Sequence, residues 1–255
     1  MRYRCTRLGH NRSNQRGRRP HNRSVVALLW LIACAALCGV IIGLLLPKIN
    51  HTAGQITGEY EASGEAARIL QHLKVARAHH GGYERQVFGY RTTDEDGNGC
   101  DVREDVLARD LKDVRYKYAG SCQVSLGLLH DPYTGLLIHF VRGRKTSSLV
   151  QIDHVVALQN AWESGAWNWR QTKRLKFGND MLNLLAVQGA ANQEKGSASA
   201  AYWLPSNKSF RCAYVARQIA VKYKYGLSVT REEKRSMAAV LHGCRAQALP
   251  DEEAR

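Results

Sequence analysis

A chain of 255 residues has room for one sizeable core with appendages, and not comfortably for two ordinary domains. Hydrophobic residues at 44% and aromatics at 8% exclude a wholly disordered protein. The formal charge of +15 is uneven: eight Arg precede Ser24 and no acid precedes Glu59, which leaves 29 of the 37 Lys and Arg against 22 acids for the rest of the chain, a surplus of 7. That surplus suits a polyanionic partner, although a soluble basic surface has the same composition.

Residues 1–24 are Arg-rich, polar and aperiodic, and read as a disordered basic tail. Residues 25–46 carry no charge, and a helix of that length, rising ~1.5 Å per residue, crosses a hydrocarbon core of ~30 Å. The Arg-rich flank on one side, against Lys48 on the other, places the N-terminus in the cytoplasm and the body outside. The reading is a single-pass signal anchor in the cell membrane. The alternative is secretion after signal cleavage, against which stands the length of the apolar run, since signal peptides usually have ~7–15 apolar residues. A lipoprotein box at Leu31-Ile32-Ala33-Cys34 is disfavoured because the apolar run continues well past Cys34. Four cysteines lie in the body: Cys100, Cys122, Cys212 and Cys244. An even number in an exported body points to disulfides, and of the three pairings the local one, Cys100–Cys122 and Cys212–Cys244, is expected because each bridge joins neighbouring elements. Zinc is disfavoured because no CxxC or CxxH spacing occurs.

Residues 47–63 are small and polar and read as a tether, 64–247 as the folded body, and 248–255 as a disordered tail. Within the body, Ala67, Leu70 and Leu73 at helical spacing predict a first amphipathic helix that Gly81-Gly82 ends. Asp94, Asp96, Asn98 and Asp105, with Gly99 at the sixth position, match the spacing of a calcium loop, and Asx-Gly clusters also make turns without a metal. Residues 101–111 read as a short helix. Residues 114–130 read as a hairpin turning at Ala119-Gly120-Ser121, Asp131 to Gly135 as a tight turn, and 136–143 and 148–158 as strands. Two helices close the body, 206–226 and 230–244, the second with Thr230 and Glu233 as a capping box.

The chemistry concentrates between Gln151 and Gly196. Phosphodiester hydrolysis needs an activated water and positive charge to offset what develops on the phosphate. A neutral His154 is a general base; Asp153, on the other face of the strand, is a hard donor for a divalent ion, and Asn192 is a second. Lys195, one turn beyond Asn192, is placed to touch a phosphate, and Asn183 is free to aim the catalytic region by hydrogen bonds. Arg170, Lys173, Arg174 and Lys176 form a basic run for nucleic-acid contact, with a solvated helix face as an equal rival. Trp162, Trp167 and Trp169 read as core anchors ahead of base-stacking platforms.

The order DHVVAL, FGNDMLNLLAV, NQEKG resembles the HNH, or ββα-metal, nuclease motif. It is similar in particular to exported bacterial HNH proteins related to the C-terminal domain of GmrSD restriction endonucleases, and the likeness extends through YERQVFGY, DGNGCDVREDVL, DPYTG and the Cys-bearing final helices, roughly residues 65–245. The resemblance implies an α+β fold: a ββα-metal core with flanking helices and a short antiparallel sheet, preceded by one transmembrane helix. It implies an endonuclease acting on DNA, with RNA as a further substrate, outside the cytoplasm. His154 is then the base, Asn183 the middle Asn, Asp153 and Asn192 the metal ligands, and Lys195 a basic residue near the phosphate. The implied metal is Mg²⁺, with Mn²⁺ or Zn²⁺ as substitutes, and products carry 5′-phosphate and 3′-hydroxyl ends. Asn192 stands where many members have His. Asp101 and Arg103 are supporting residues without an assigned role. No protein partner is expected, and the rival class is a non-catalytic envelope protein that binds nucleic acid or cell-wall polymer.

Overall fold

The computed structural model describes residues 21–49, 62–94 and 96–250, so the basic tail, most of the tether and the C-terminal tail read from sequence lie largely outside the described residues. The chain separates into a unit ending at Tyr60 and a larger one from Glu61 onward. In the first unit, α1 (His21–Ile49) is a single helix whose stretch Val25–Leu45 is long and apolar enough to cross a membrane, with its side chains exposed. A signal sequence and an anchor pass that test equally.

In the second unit, α2 (Glu65–His72) buries Ala66, Ala67, Ile69 and Leu70. It is shorter than its periodicity predicts. At Leu73 the backbone turns extended, and Val75 pairs with Val229: Ala76 N–H donates to Val229 O and Val229 N–H donates to Lys74 O. Long-range backbone partners and the β-branched Val75 override the local helical pattern. A 3₁₀ turn (Arg85–Phe88) follows, and then α3 (Val102–Asp110), whose first turn is capped by the Asp101 carboxylate accepting from Glu104 N–H.

Strands β1 (Leu111–Tyr116), β2 (Val124–His130) and β3 (Leu137–Val141) form one antiparallel sheet in that order. β1 starts three residues earlier than its alternation suggests, directly off α3. Its register with β2 slips between Lys112 and Arg115, where Asp113 takes a left-handed φ of 52°. The expected turn at 119–121 lies between β1 and β2, and the expected turn at 131–135 links β2 to β3.

A second, separate sheet pairs β4 (Val150–His154) with β5 (Leu184–Gln188), antiparallel, Val150 opposite Gln188 and His154 opposite Leu184. Between them run α4 (Leu158–Glu163) and α5 (Gln171–Gly178). After β5 the chain enters α6 (Gly189–Lys195), then α7 (Arg211–Tyr225) and α8 (Arg231–His242). The architecture is thus mixed α and β, with short antiparallel sheets rather than one.

The β4–β5 pair sits between layers. Val150, Ile152, Leu184 and Ala186 pack with α3 and the first sheet, while Leu185 and Val187 pack with α2, α7 and α8. Cover on both faces explains why Leu184 to Val187 is an unbroken apolar run, since alternation marks a strand with one wet face. The capping box at α8 is half formed. Thr230 accepts from Glu233 N–H, but the Glu233 carboxylate turns inward to a buried ion pair with Lys222. Both expected disulfides are present: Cys100–Cys122 ties the start of α3 to the β1–β2 connection, and Cys212–Cys244 ties α7 to the end of α8.

Candidate active site

β4 ends where Asn183 stops it. Asn183 O accepts from Val155 N–H, its Oδ1 accepts from Val156 N–H at 2.8 Å, and its Nδ2 donates to Val156 O at 3.1 Å. The side chain is 0% exposed, so all of these bonds are made away from water. Asn183 therefore holds the loop that leaves His154.

Alternation along β4 sends Asp153 and His154 to opposite faces. His154 is 4% exposed, its ring meets Tyr90 edge-on at 5.1 Å, and its Nε2 lies 2.8 Å from Gly178 O. A carbonyl oxygen only accepts, so Nε2 carries the proton and Nδ1 carries the lone pair. Burial pushes the imidazole down to about 3, with Arg85 and Lys195 pulling the same way against the Gly178 bond, so the ring is neutral at physiological pH. Burial likewise pushes Tyr90 up to about 12.

Asp153 faces the other layer. Its Oδ1 accepts from Lys195 Nζ at 2.9 Å and its Oδ2 from the Tyr133 hydroxyl at 2.5 Å. Lys195 also donates to His154 O at 2.9 Å. Burial raises the Asp153 carboxyl above its usual range, while Lys195 and Tyr133 draw it down. Lys195 is 1% exposed, which corrects the expectation that it reaches a phosphate: its ammonium is spent on Asp153 and on the backbone of the residue that bears the base. Asn192 donates from Nδ2 to Gln151 Oε1 at 2.9 Å, which leaves its amide oxygen for another partner. Asp153, His154 and Asn192 share the wall of one cavity of about 360 Å³, together with Gln151, Tyr83 and Arg85.

The remaining candidates are placed elsewhere. Lys173 donates to Tyr225 O and lies over the Trp169 ring, and Arg174 donates to Ala166 O and Trp167 O and lies over Trp162. These contacts brace the fold, while Lys173 and Arg170 stay exposed and Arg174 is half-buried; Lys176 lines a different cavity with Asp96, Asp105 and Asp180. Trp162 and Trp169 pack on the core around Phe177, as expected, whereas Trp167 is 44% exposed and stacks on His79. In the acidic loop, Asp94 accepts from the N–H groups of Gly97, Asn98 and Gly99, and the Asn98 amide bridges Asp96 to Asp105. Among the described residues no three His, Cys, Asp or Glu side chains are grouped to hold a metal ion. Asp101 binds Arg91, and Arg103 donates to Val150 O at the start of β4.

Sequence reasoning gave Tyr133, Tyr90, Gly178 and Arg85 no chemistry. Tyr133 and Arg85 lie within the quoted stretches DPYTG and YERQVFGY, but nothing in spacing shows that either stretch returns to β4.

A model of the GmrSD restriction endonucleases' C-terminal domain matches residues 101–240, which takes in both sheets, most of α8 and the His154 cavity apart from its Tyr83 and Arg85 wall. The chain belongs to that family. A relative from Arthroderma benhamiae, described as an uncharacterized secreted protein, is 39% identical over 165 residues, covering 64% of this chain and 76% of that protein. No solved structure matches. Membership in a restriction-endonuclease domain family makes the body nuclease-like, and the β4–β5–α6 cavity is where the family match and the polar chemistry coincide.

Proposed function

We propose that the protein is a metal-dependent endonuclease of the HNH, or ββα-metal, type, which hydrolyses phosphodiester bonds of DNA outside the cytoplasm. The observation that carries this reading is the fixed tautomer of His154. Gly178 O holds Nε2–H, so Nδ1 is the basic nitrogen, on a neutral ring in the wall of a polar cavity. Asn192, on the helix that follows β5, lines the same cavity as His154 and supports this reading. A retained anchor or a cleaved signal at α1 both agree with a body beyond the membrane, as does the description of the Arthroderma relative.

The donor set fits a hard divalent ion in kind. Asn192 offers an amide oxygen whose nitrogen is already fixed, and Asp153 offers a carboxylate with lone pairs beyond the two used by Lys195 and Tyr133. Bound there, Mg²⁺ would offset charge on the phosphate and leaving oxygen. The chain's own residues do the rest. His154 Nδ1 takes the proton of the attacking water, Asn183 fixes the loop on which that geometry depends, and Lys195 holds the His154 backbone while balancing Asp153.

The test is cleavage of plasmid DNA by the full chain with Mg²⁺ and with EDTA, run in parallel on single strands and RNA. The expected result is cleavage only with Mg²⁺, lost in His154→Ala. Folded wild-type protein that cleaves no nucleic acid would sink the nuclease reading in favour of a binding protein.

A further inference from the structure

Moving Lys195 into the interior leaves the site without the cation that was expected to meet its anionic substrate. Of the residues lining the His154 cavity, Arg85 is the one Lys or Arg. We infer that Arg85 binds the scissile phosphate, its guanidinium meeting the non-bridging oxygens while His154 addresses the water. This rests on the nuclease reading above, and supplies the substrate-binding residue that reading lacks.

Three observations carry it. First, the guanidinium is available. Arg85 is exposed, makes no salt bridge among the described residues, and donates to the Tyr83 hydroxyl, one partner for a fork of five N–H donors. Second, no rival cation lines the cavity. Lys195, which the sequence offered for the phosphate, is 1% exposed and holds Asp153 Oδ1. Third, its position is fixed relative to the base. Arg85 opens the 3₁₀ turn that ends in Phe88, which is 0% exposed against Phe177. Gly178 lies so close to that turn that a Cβ on it would sit 2.2 Å from Phe88 O, and the carbonyl of the same Gly178 holds His154 Nε2. Asn179 ties the two segments again, donating to Gly89 O and accepting from Arg91 N–H. One short piece of backbone, Gly178-Asn179, therefore sets both the base and the turn that carries the cation. A planar fork of donors matches a phosphate's paired oxygens, which a bare ammonium matches less well.

The test separates binding from cleavage. Affinity of the full chain in detergent for a short fluorescein-labelled single-stranded DNA is measured by anisotropy in EDTA, over a range of salt concentrations. Arg85→Ala is expected to bind about tenfold or more weakly and to reduce the slope of log affinity against log salt by about one phosphate's share. Arg85→Lys is expected to keep the slope and recover part of the affinity. Arg68→Ala, at an exposed α2 position outside the cavity, is the control and is expected to change neither. Wild-type affinity and slope in Arg85→Ala would overturn the assignment, as would wild-type protein that binds no DNA. Cleavage with Mg²⁺ on the same preparations judges the nuclease reading separately: loss of binding in Arg85→Ala with an inert wild type leaves Arg85 a phosphate ligand in a protein that is not a nuclease.

Discussion

Two regions carry oxygen donors at spacings that suit a cation, and they are built in opposite ways. In the loop from Asp94 to Asp105 the side chains satisfy one another and their own backbone: Asp94 takes three N–H groups of the same loop, and Asn98 bridges Asp96 and Asp105. Around His154 the partners come from far along the chain: Gly178 for the imidazole, Tyr133 and Lys195 for Asp153, Gln151 for Asn192. Local partners make a compact turn. Remote partners fix His154 and Asn192 by one atom and leave another, Nδ1 and Oδ1, for an incoming group, while both Asp153 oxygens already accept a bond.

The largest expected effect lies at the base. His154→Ala should lower cleavage by about 10²- to 10⁴-fold, the usual range for a general base, and also lower the melting temperature because the buried ring and its bond to Gly178 O are lost, so activity is compared well below it; residual activity within a factor of a few of wild type would remove His154 from that role. Next comes the buried pair behind it. Lys195→Ala strands the Asp153 charge in the interior and is expected to cost about 3–5 kcal/mol in urea unfolding, whereas a Lys195 that worked only at the cavity mouth would cost little.

Gly178→Ala should follow. Its Cβ meets backbone, not a flexible chain end, so the turn carrying Arg85 must shift, with an expected loss of about 1–3 kcal/mol and a fall in activity out of proportion to it. Equal losses in Gly178→Ala and in an ordinary core variant would deny the coupling.

The smallest effect belongs to the acidic region. Burial pushes the Asp101 carboxyl up, but the Arg91 guanidinium and the N–H of Glu104 outweigh it, so the group sits below its usual range. A carboxyl depressed on folding contributes stability that is present above its unfolded value of about 3.9 and is lost as pH falls through the lower folded value. Asp101→Ala is expected to cost about 1 kcal/mol at pH 7, mainly as a lost helix cap, and the gap to wild type should narrow below about pH 4. A gap that does not change with pH would mean that the charge of Asp101 contributes nothing.

Short-range chemistry was legible from the residues alone. The apolar run of α1, the cap at Thr230, the turn at Asp131 and the local disulfides all depend on residues near one another or on a spacing that secondary structure preserves. The end of α2 was not legible, because Val229, far along the chain, supplies the partners that turn residues 74–76 extended. Nor was the fate of the cations. Lys195 looks like Arg85 in sequence, and only the packed structure shows that its ammonium is buried on Asp153 and the His154 carbonyl while Arg85 lines the cavity. Sequence determined which groups can do chemistry, since that follows from side-chain type. Tertiary structure decided which atoms remain to do it, because a hydrogen-bonding group buried by folding must first be paired, and the partner is whichever element packs against it.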